Sequence, residues 1–302
     1  SVIITNFGHG FGYLVPYTAF ILYSFHMPLF FAISGYLLHP DILQQSFLSF
    51  IKKYIKRLLI PYSIALILYI AIHEIVNPSL SYFIIVIRYV PLQFWFVPTL
   101  FLFLIITWLF NRLHINPFFI FCIAGSFSIY YGVIANHVPL PIFYYKLFYF
   151  IFFALGYNVR NMKYNSKLYY VLGGLLIVAW IYRLTEALPS HYYVFTWSFF
   201  LLATIQSLFF LMWSLQPSSN TISKITWLGK LGKNSYPIYL WHGLIIFIIQ
   251  TIMRVFNIPD IITWIYGCII ISLFCMYIPY GMQNTWIAKY LFGEIKKNKE
   301  NM

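Results

Sequence analysis

Long apolar runs and short polar connections alternate along the whole chain. After an apolar start that ends near Pro16, runs fall at approximately 17–39, 55–76, 93–110, 117–134, 142–157, 168–185, 193–214, 235–256 and 261–283. Most are close to the roughly 20 residues that a helix needs to cross a hydrocarbon core of about 30 Å. Lipid offers no partner to backbone N–H and C=O groups, so runs of this length are read as helices. The pattern predicts an all-α fold, a polytopic membrane helical bundle of about ten transmembrane helices. The run before Pro16 is short and lacks the basic start of a secretory signal, so it reads as a first helix truncated at its start. Residues 81–93, "SYFIIVIRYVPLQ", are apolar but interrupted by Arg88 and Pro91, which suggests a re-entrant or interfacial piece. No connection is long enough to hold a separate module, so 1–302 is read as a single integral-membrane domain.

Composition removes other classes. The chain is 62% hydrophobic and only 8% charged, which excludes an ordinary soluble domain. A net charge of +13 could point to nucleic acid, but the basic residues cluster between the apolar runs, where membrane topology alone puts them. Of the 19 Lys and Arg residues, all but Arg88, Lys146, Arg183 and Arg254 fall on one side if the 40–54 connection is cytoplasmic. That asymmetry predicts both termini in the cytoplasm and no nucleic-acid partner. Cys122, Cys268 and Cys275 lie inside apolar runs without metal-type spacing; no metal site is expected, and they read as small core residues.

Candidate chemistry comes from polar residues inside the runs. A charged group at the centre of a span costs roughly 2.5 to 3.5 kcal/mol on insertion scales, so an ionisable side chain there faces a cavity or a partner. At about 100° per residue, Thr5, Asn6 and His9 form one stripe, Tyr23, His26, Phe30 and Ser34 a second, and Ser235, Tyr239 and His242 a third. On continuous helices His9 and His26 would lie ~10 and ~14 Å below the outer surface, and His242 ~10 Å above the inner one. A hydrogen bond between helices explains any one such histidine; three on mixed aromatic and hydroxyl faces favour a functional cavity. His39, His73, His114, His137 and His191 sit near run ends and receive no role.

Lys52, Lys53, Lys56 and Arg57 open the third run in "IKKYIKRLLIPY". Topology and contact with anionic lipid account for them; recognition of a phosphorylated ligand from the cytosol is the functional alternative. In "FWFVPTLF" Pro98 predicts a kink that exposes backbone to a cavity. The glycines of "GHGFGY" follow no strand and do not form a dinucleotide loop.

"NFGHG", "YSFHMPLFFAISGYLL", "KKYIKRLLIPY", "FWFVPTLF", "FIFFALGY" and "LGKNSYPIYLWHG" occur in one order over nearly the whole chain. In them the chain resembles the integral-membrane acyltransferase family 3, the bacterial sugar O-acyltransferases, and most of all enzymes that acetylate polysaccharide sugars, including fucose O-acetylases. The resemblance implies an O-acetyltransferase of the bacterial inner membrane, with acetyl-CoA or another acyl-CoA as donor substrate and no permanently bound cofactor. The acceptor would be a hydroxyl of a surface polysaccharide, such as O-antigen or capsule, or of its lipid-linked oligosaccharide precursor. His9 matches the catalytic base, and Arg57 with Lys53 or Lys56 would handle the donor. His26, Trp95, Ser235, Tyr239 and His242 complete the expected substrate- or donor-binding set. The sequence departs from the family in Tyr54, where relatives commonly carry another arginine, and a basic residue that relatives place about ten positions before the histidine would precede Ser1. A transporter or flippase of polysaccharide intermediates is the competing reading, but Glu74, Glu186 and Asp260 all sit near run ends. A polysaccharide polymerase would need larger outer loops.

Overall fold

A computed structural model describes residues 24–76, 94–129, 147–185, 197–216, 234–256 and 285–293, with isolated positions at 21, 232, 269, 270, 273, 277 and 282. The described elements are helical: α1 His26–Tyr36, α2 Pro40–Leu43, α3 Phe47–Tyr54, a π-helical turn Ile55–Leu59, α4 Ile60–Val76, α5 Phe96–Arg112, α6 Pro117–Ile129, α7 Phe150–Val159, α8 Ser166–Thr185, α9 Trp197–Ser214, α10 Ser235–Val255 and α11 Trp286–Phe292. Phe47–Ile75, Ser166–Thr185 and Ser235–Met253 are long and apolar enough to cross a membrane. On α8 the large apolar residues Val171, Leu175, Val178 and Ile181 are exposed. In a bilayer such a face meets acyl chains as apolar as itself.

The chain forms two compact units, each assembled from two separated stretches: residues 1–45 with 102–221, and 46–101 with 222–302. The first unit is built around α7. Its sequence "FIFFALGYNV" is apolar all round, and every residue from Phe150 to Val159 except Asn158 is buried. A helix without a polar face belongs in a core. Phe31 of α1 packs between Phe103 and Tyr149, at 5.1 and 5.3 Å between ring centroids. The crossing of α1 and α7 has no room for side chains. A Cβ on Gly35 would collide with the Phe153 carbonyl oxygen, and one on Gly156 with that of Ala32. Small residues let two membrane helices approach to backbone contact, where dispersion replaces a hydrophobic drive that lipid does not supply.

In the second unit the basic helix α3 runs through the π-turn into α4, which packs against α10 and α11. Tyr62 and Tyr69 of α4 close on Phe94, with Tyr69 also on Phe247, at centroid distances of 5.6 to 6.1 Å. Tyr54 is buried and packs on Phe50 at 4.8 Å. At this position the chain holds a core aromatic.

Prolines start helices here. Pro28 is the third residue of α1, Pro98 of α5 and Pro237 of α10; Pro40 and Pro117 open their helices. First-turn N–H groups have no partner within the helix, so a residue without an N–H fits there. This corrects two expectations. The 17–39 run is not one continuous helix, because Ser24 and Phe25 form a turn and α1 begins at His26. Likewise Pro98 does not kink a span but lies in the first turn of α5. The expected core place of Cys122 is also corrected: it is exposed on α6.

Candidate functional site

Six of the residues singled out in the sequence, Lys53, Arg57, Trp95, Ser235, Tyr239 and His242, belong to the second unit; His26 belongs to the first. His9, Thr5, Asn6 and Tyr23 lie outside the described residues.

The basic residues sit on an irregular helix for a local reason. In a regular helix the Arg57 carbonyl would accept the N–H of residue 61, but residue 61 is proline. Its ring also crowds the carbonyl four residues back. The backbone widens instead: Ile60 N–H bonds to Ile55 O, five residues before it, across the π-turn that carries Lys56 and Arg57. Single π-turns inside α-helices are frequent at functional sites. Tyr236 of α10 donates its hydroxyl proton to the Leu58 carbonyl within the same turn. Lys53 is half-buried, and Lys56 and Arg57 are exposed. Two cations four residues apart, Lys53 and Arg57, lie on neighbouring turns. Arg supplies a planar fork that matches phosphate oxygens, and Lys adds a point charge.

Ser235, Tyr239 and His242 all lie on α10. Ser235 is exposed at the start of α10. The Tyr239 hydroxyl accepts the Phe96 N–H at 3.2 Å, serving one of the free donors at the start of α5 beside Trp95. His242 Nδ1 lies 3.0 Å from the Ile238 carbonyl and 2.7 Å from that of Tyr239. Carbonyls only accept, so Nδ1 carries the proton, and Nε2 of the neutral ring holds the lone pair. The imidazole stands 6.0 Å from the Tyr239 ring. The second unit thus holds the exposed cations Lys56 and Arg57 on the π-turn and, on α10, a histidine with Nδ1–H fixed and a tyrosine hydroxyl.

In the first unit His26 is the first residue of α1, half-buried, four and eight residues before Phe30 and Ser34 on one helix face. The Ser34 hydroxyl is directed back to its own helix, donating to Phe30 O at 2.8 Å. Sequence reasoning missed the neighbour that matters most. Arg183, counted above among the four basic residues off the cytoplasmic side, is only 5% exposed. Its NH1 donates to Ser198 Oγ at 3.0 Å, its Nε reaches Ser24 Oγ at 3.5 Å, and its guanidinium lies 5.9 Å from the Phe199 ring centre. Both serines are buried. An arginine near a helix end can extend its head to water, so one that turns inward holds structure together. It ties the ends of α8 and α9 to the turn that launches His26. In the sequence "YRLT" puts Arg183 inside the apolar run, two residues from its end, which leaves open whether the side chain turns in or out.

Two further arginines have structural roles. Arg112 NH2 donates to the carbonyls of Gln44 and Gln45 at 3.0 and 2.9 Å, and Arg160 NH1 to Tyr36 O at 3.2 Å. Both cap C-terminal carbonyls of α1 and α2, as cations at that end should.

Among the described residues no group of His, Cys, Asp and Glu could hold a metal ion. Residues 1–281 match the family described as the acyltransferase domain. No curated protein and no solved structure matches the chain.

Proposed function

The chain belongs to acyltransferase family 3, and from that premise we propose that it is a membrane O-acyltransferase moving an acetyl group from acetyl-CoA to a sugar hydroxyl. The acceptor is a surface polysaccharide or its lipid-linked precursor, handled at the bacterial inner membrane with both termini of the chain in the cytoplasm. The observation that carries the donor half is the π-turn, which presents Arg57 beside Lys53 and Lys56 as a phosphate-binding edge next to α10. Acyl-CoA brings phosphates at one end, amide groups along its arm and a thioester at the other. The cations take the phosphates. His242 Nε2, an acceptor by its tautomer, takes an amide N–H of the arm. Trp95, Ser235 and Tyr239 line the path of the arm.

For the chemical step, His9 removes the proton from the attacking sugar hydroxyl as its oxygen bonds to the thioester carbonyl carbon. The oxyanion formed collapses, the C–S bond breaks, and the CoA thiolate takes the proton back from the imidazolium. A sugar hydroxyl is barely ionised at neutral pH, so the base is what makes attack feasible. His26 binds the acceptor.

The test is purified full-length protein incubated with acetyl-CoA or succinyl-CoA and a panel of lipid-linked sugars, with any ester located by NMR. Ester formed from acetyl-CoA, lost in His9→Ala, is expected. No ester from any pair, together with accumulation of untransported precursor in cells lacking the gene, would replace acyl transfer with transport.

A further inference from the structure

Residues 282–302 lie beyond the matched acyltransferase domain, yet part of this stretch reaches the backbone of the basic turn. Helix α11 is capped by Thr285, whose hydroxyl accepts the Ala288 N–H at 3.4 Å. Trp241 of α10 grips its other end, donating Nε1–H to Leu291 O at 3.1 Å, with its ring 6.3 Å from that of the buried Phe292. The helix then stops at Gly293, with φ 80° and ψ −175°, a conformation essentially confined to glycine.

Gly293 sits under one particular atom. A Cβ there would lie 2.8 Å from the Arg57 carbonyl oxygen, closer than side-chain carbons approach backbone oxygens. That is the carbonyl for which Pro61 has no N–H to offer. The π-turn is therefore held from two directions: Tyr236 on the Leu58 carbonyl and the α11 terminus against Arg57. The Arg57 side chain is exposed, and the backbone of the turn fixes where it leaves the helix.

We propose that α11 and Gly293 are positioning elements of the donor site, which hold the π-turn so that Arg57 and Lys53 keep the spacing required by the phosphates of bound acyl-CoA. The proposal rests on the reading of the basic segment as the donor site. A residue that acts only by position is distinguished from a merely stabilising one by what it changes: the KM for donor and not the KM for acceptor.

The experiment compares Gly293→Ala, Trp241→Phe, Arg57→Gln and the double variant G293A/R57Q in the full chain. Gly174→Ala, at a position where a Cβ meets nothing within 4 Å, is the control. Arg57→Gln and Gly293→Ala are each expected to raise the KM for acetyl-CoA about tenfold with the acceptor KM unchanged, and the double variant to be no worse than R57Q, as coupled residues behave. Trp241→Phe is expected to show a smaller rise of the same kind. If R57Q raises the donor KM while G293A and W241F leave it unchanged, the positioning role is overturned and the donor site stands. If R57Q itself leaves it unchanged, the donor assignment fails and takes the proposal with it. Equal rises in both KM values in G293A would also overturn it, as general damage. Should G293A not accumulate, W241F, which removes the Nε1–H donor and trims the buried ring, decides through the same contrast of donor and acceptor KM.

Discussion

Each unit contains a glycine pressed against a backbone carbonyl, but the two contacts do opposite things. In the first unit Gly35 faces the Phe153 carbonyl and Gly156 that of Ala32, where regular helices cross. Those carbonyls are already bonded within the helices, so the contact is pure close packing. In the second unit Gly293 faces the Arg57 carbonyl, which lies in an irregular turn because Pro61 follows four residues later. Close packing there backs a carbonyl to which Pro61 offers no N–H. The first arrangement suits a scaffold, and the second a segment that must stay irregular to present its charges. A residue class as simple as glycine thus takes its meaning from the state of the carbonyl it meets.

The largest effect that would test this contrast is expected at the helix crossing. Gly156→Ala inserts a methyl group into backbone, which has no rotamer to give way. Overpacking a core typically costs about 1–3 kcal/mol, and this site should reach the upper end or beyond. Gly174→Ala, on an open face of α8, should be neutral or slightly stabilising, since alanine favours helix by up to ~1 kcal/mol. Thermal unfolding in detergent checks both. Equal stability of the two variants would break the distinction between a packed crossing and an ordinary glycine.

Next in size is the buried arginine of the first unit. Arg183→Ala removes the guanidinium from Ser198 Oγ and Ser24 Oγ, and hydrogen bonds to a charged group are worth about 1.5–3 kcal/mol. A loss of roughly 2 kcal/mol is expected, against ~1 kcal/mol for Ser198→Ala, measured by the same unfolding assay. If the two variants lose the same amount, the contact with Ser24 adds nothing to stability, and the guanidinium's hold on the turn before His26 falls away. In the second unit the corresponding polar tie is Tyr236 to Leu58 O. Tyr236→Phe should cost about 1 kcal/mol or less in stability. Its mark is a raised KM for the donor, because the bond it removes is in the π-turn. A variant of unchanged donor KM would reduce the tyrosine to a packing residue.

How far the sequence reaches is visible in particular elements. The apolar runs at 168–185, 193–214 and 235–256 correspond closely to α8, α9 and α10, because a run of that length in lipid has no other way to satisfy its backbone. The third-run cations and the Ser235, Tyr239 and His242 stripe were legible for the same reason: helical spacing is rigid once helix is granted. Pro98 was misread, since a proline within an apolar run has the same composition signal whether it kinks a helix or starts one. Pro28 and Pro98 start theirs, and only the turns at Ser24–Phe25 and Phe94–Trp95 reveal it. Pro61 was the informative one, as it falls after a basic turn that is already helical, and it accounts for the π-turn. The inward turn of Arg183 was not legible, because a loop cation and a buried clamp near a helix end differ only in which way a flexible side chain points. Nor could spacing show that Gly293, beyond the family match, touches the carbonyl of Arg57.

The smallest expected effect falls on the residue that the sequence pattern made attractive. Ser34 shares the His26 face, eight residues on, and looked like part of a polar chamber. Its hydroxyl proton goes to Phe30 O at 2.8 Å, the carbonyl one turn back. Bonds of this type slightly weaken a helix, because they compete for a carbonyl that the backbone already uses. Ser34→Ala should therefore change stability by no more than a few tenths of a kcal/mol, in either direction. Acyl transfer should remain at the wild-type rate, whereas His26→Ala should raise the KM for the acceptor. The pair separates a helical face that is polar by bookkeeping of residue types from one that meets substrate. A strong loss of activity in S34A at unchanged stability would return the hydroxyl to the chamber and make the face, rather than His26 alone, the acceptor-binding element.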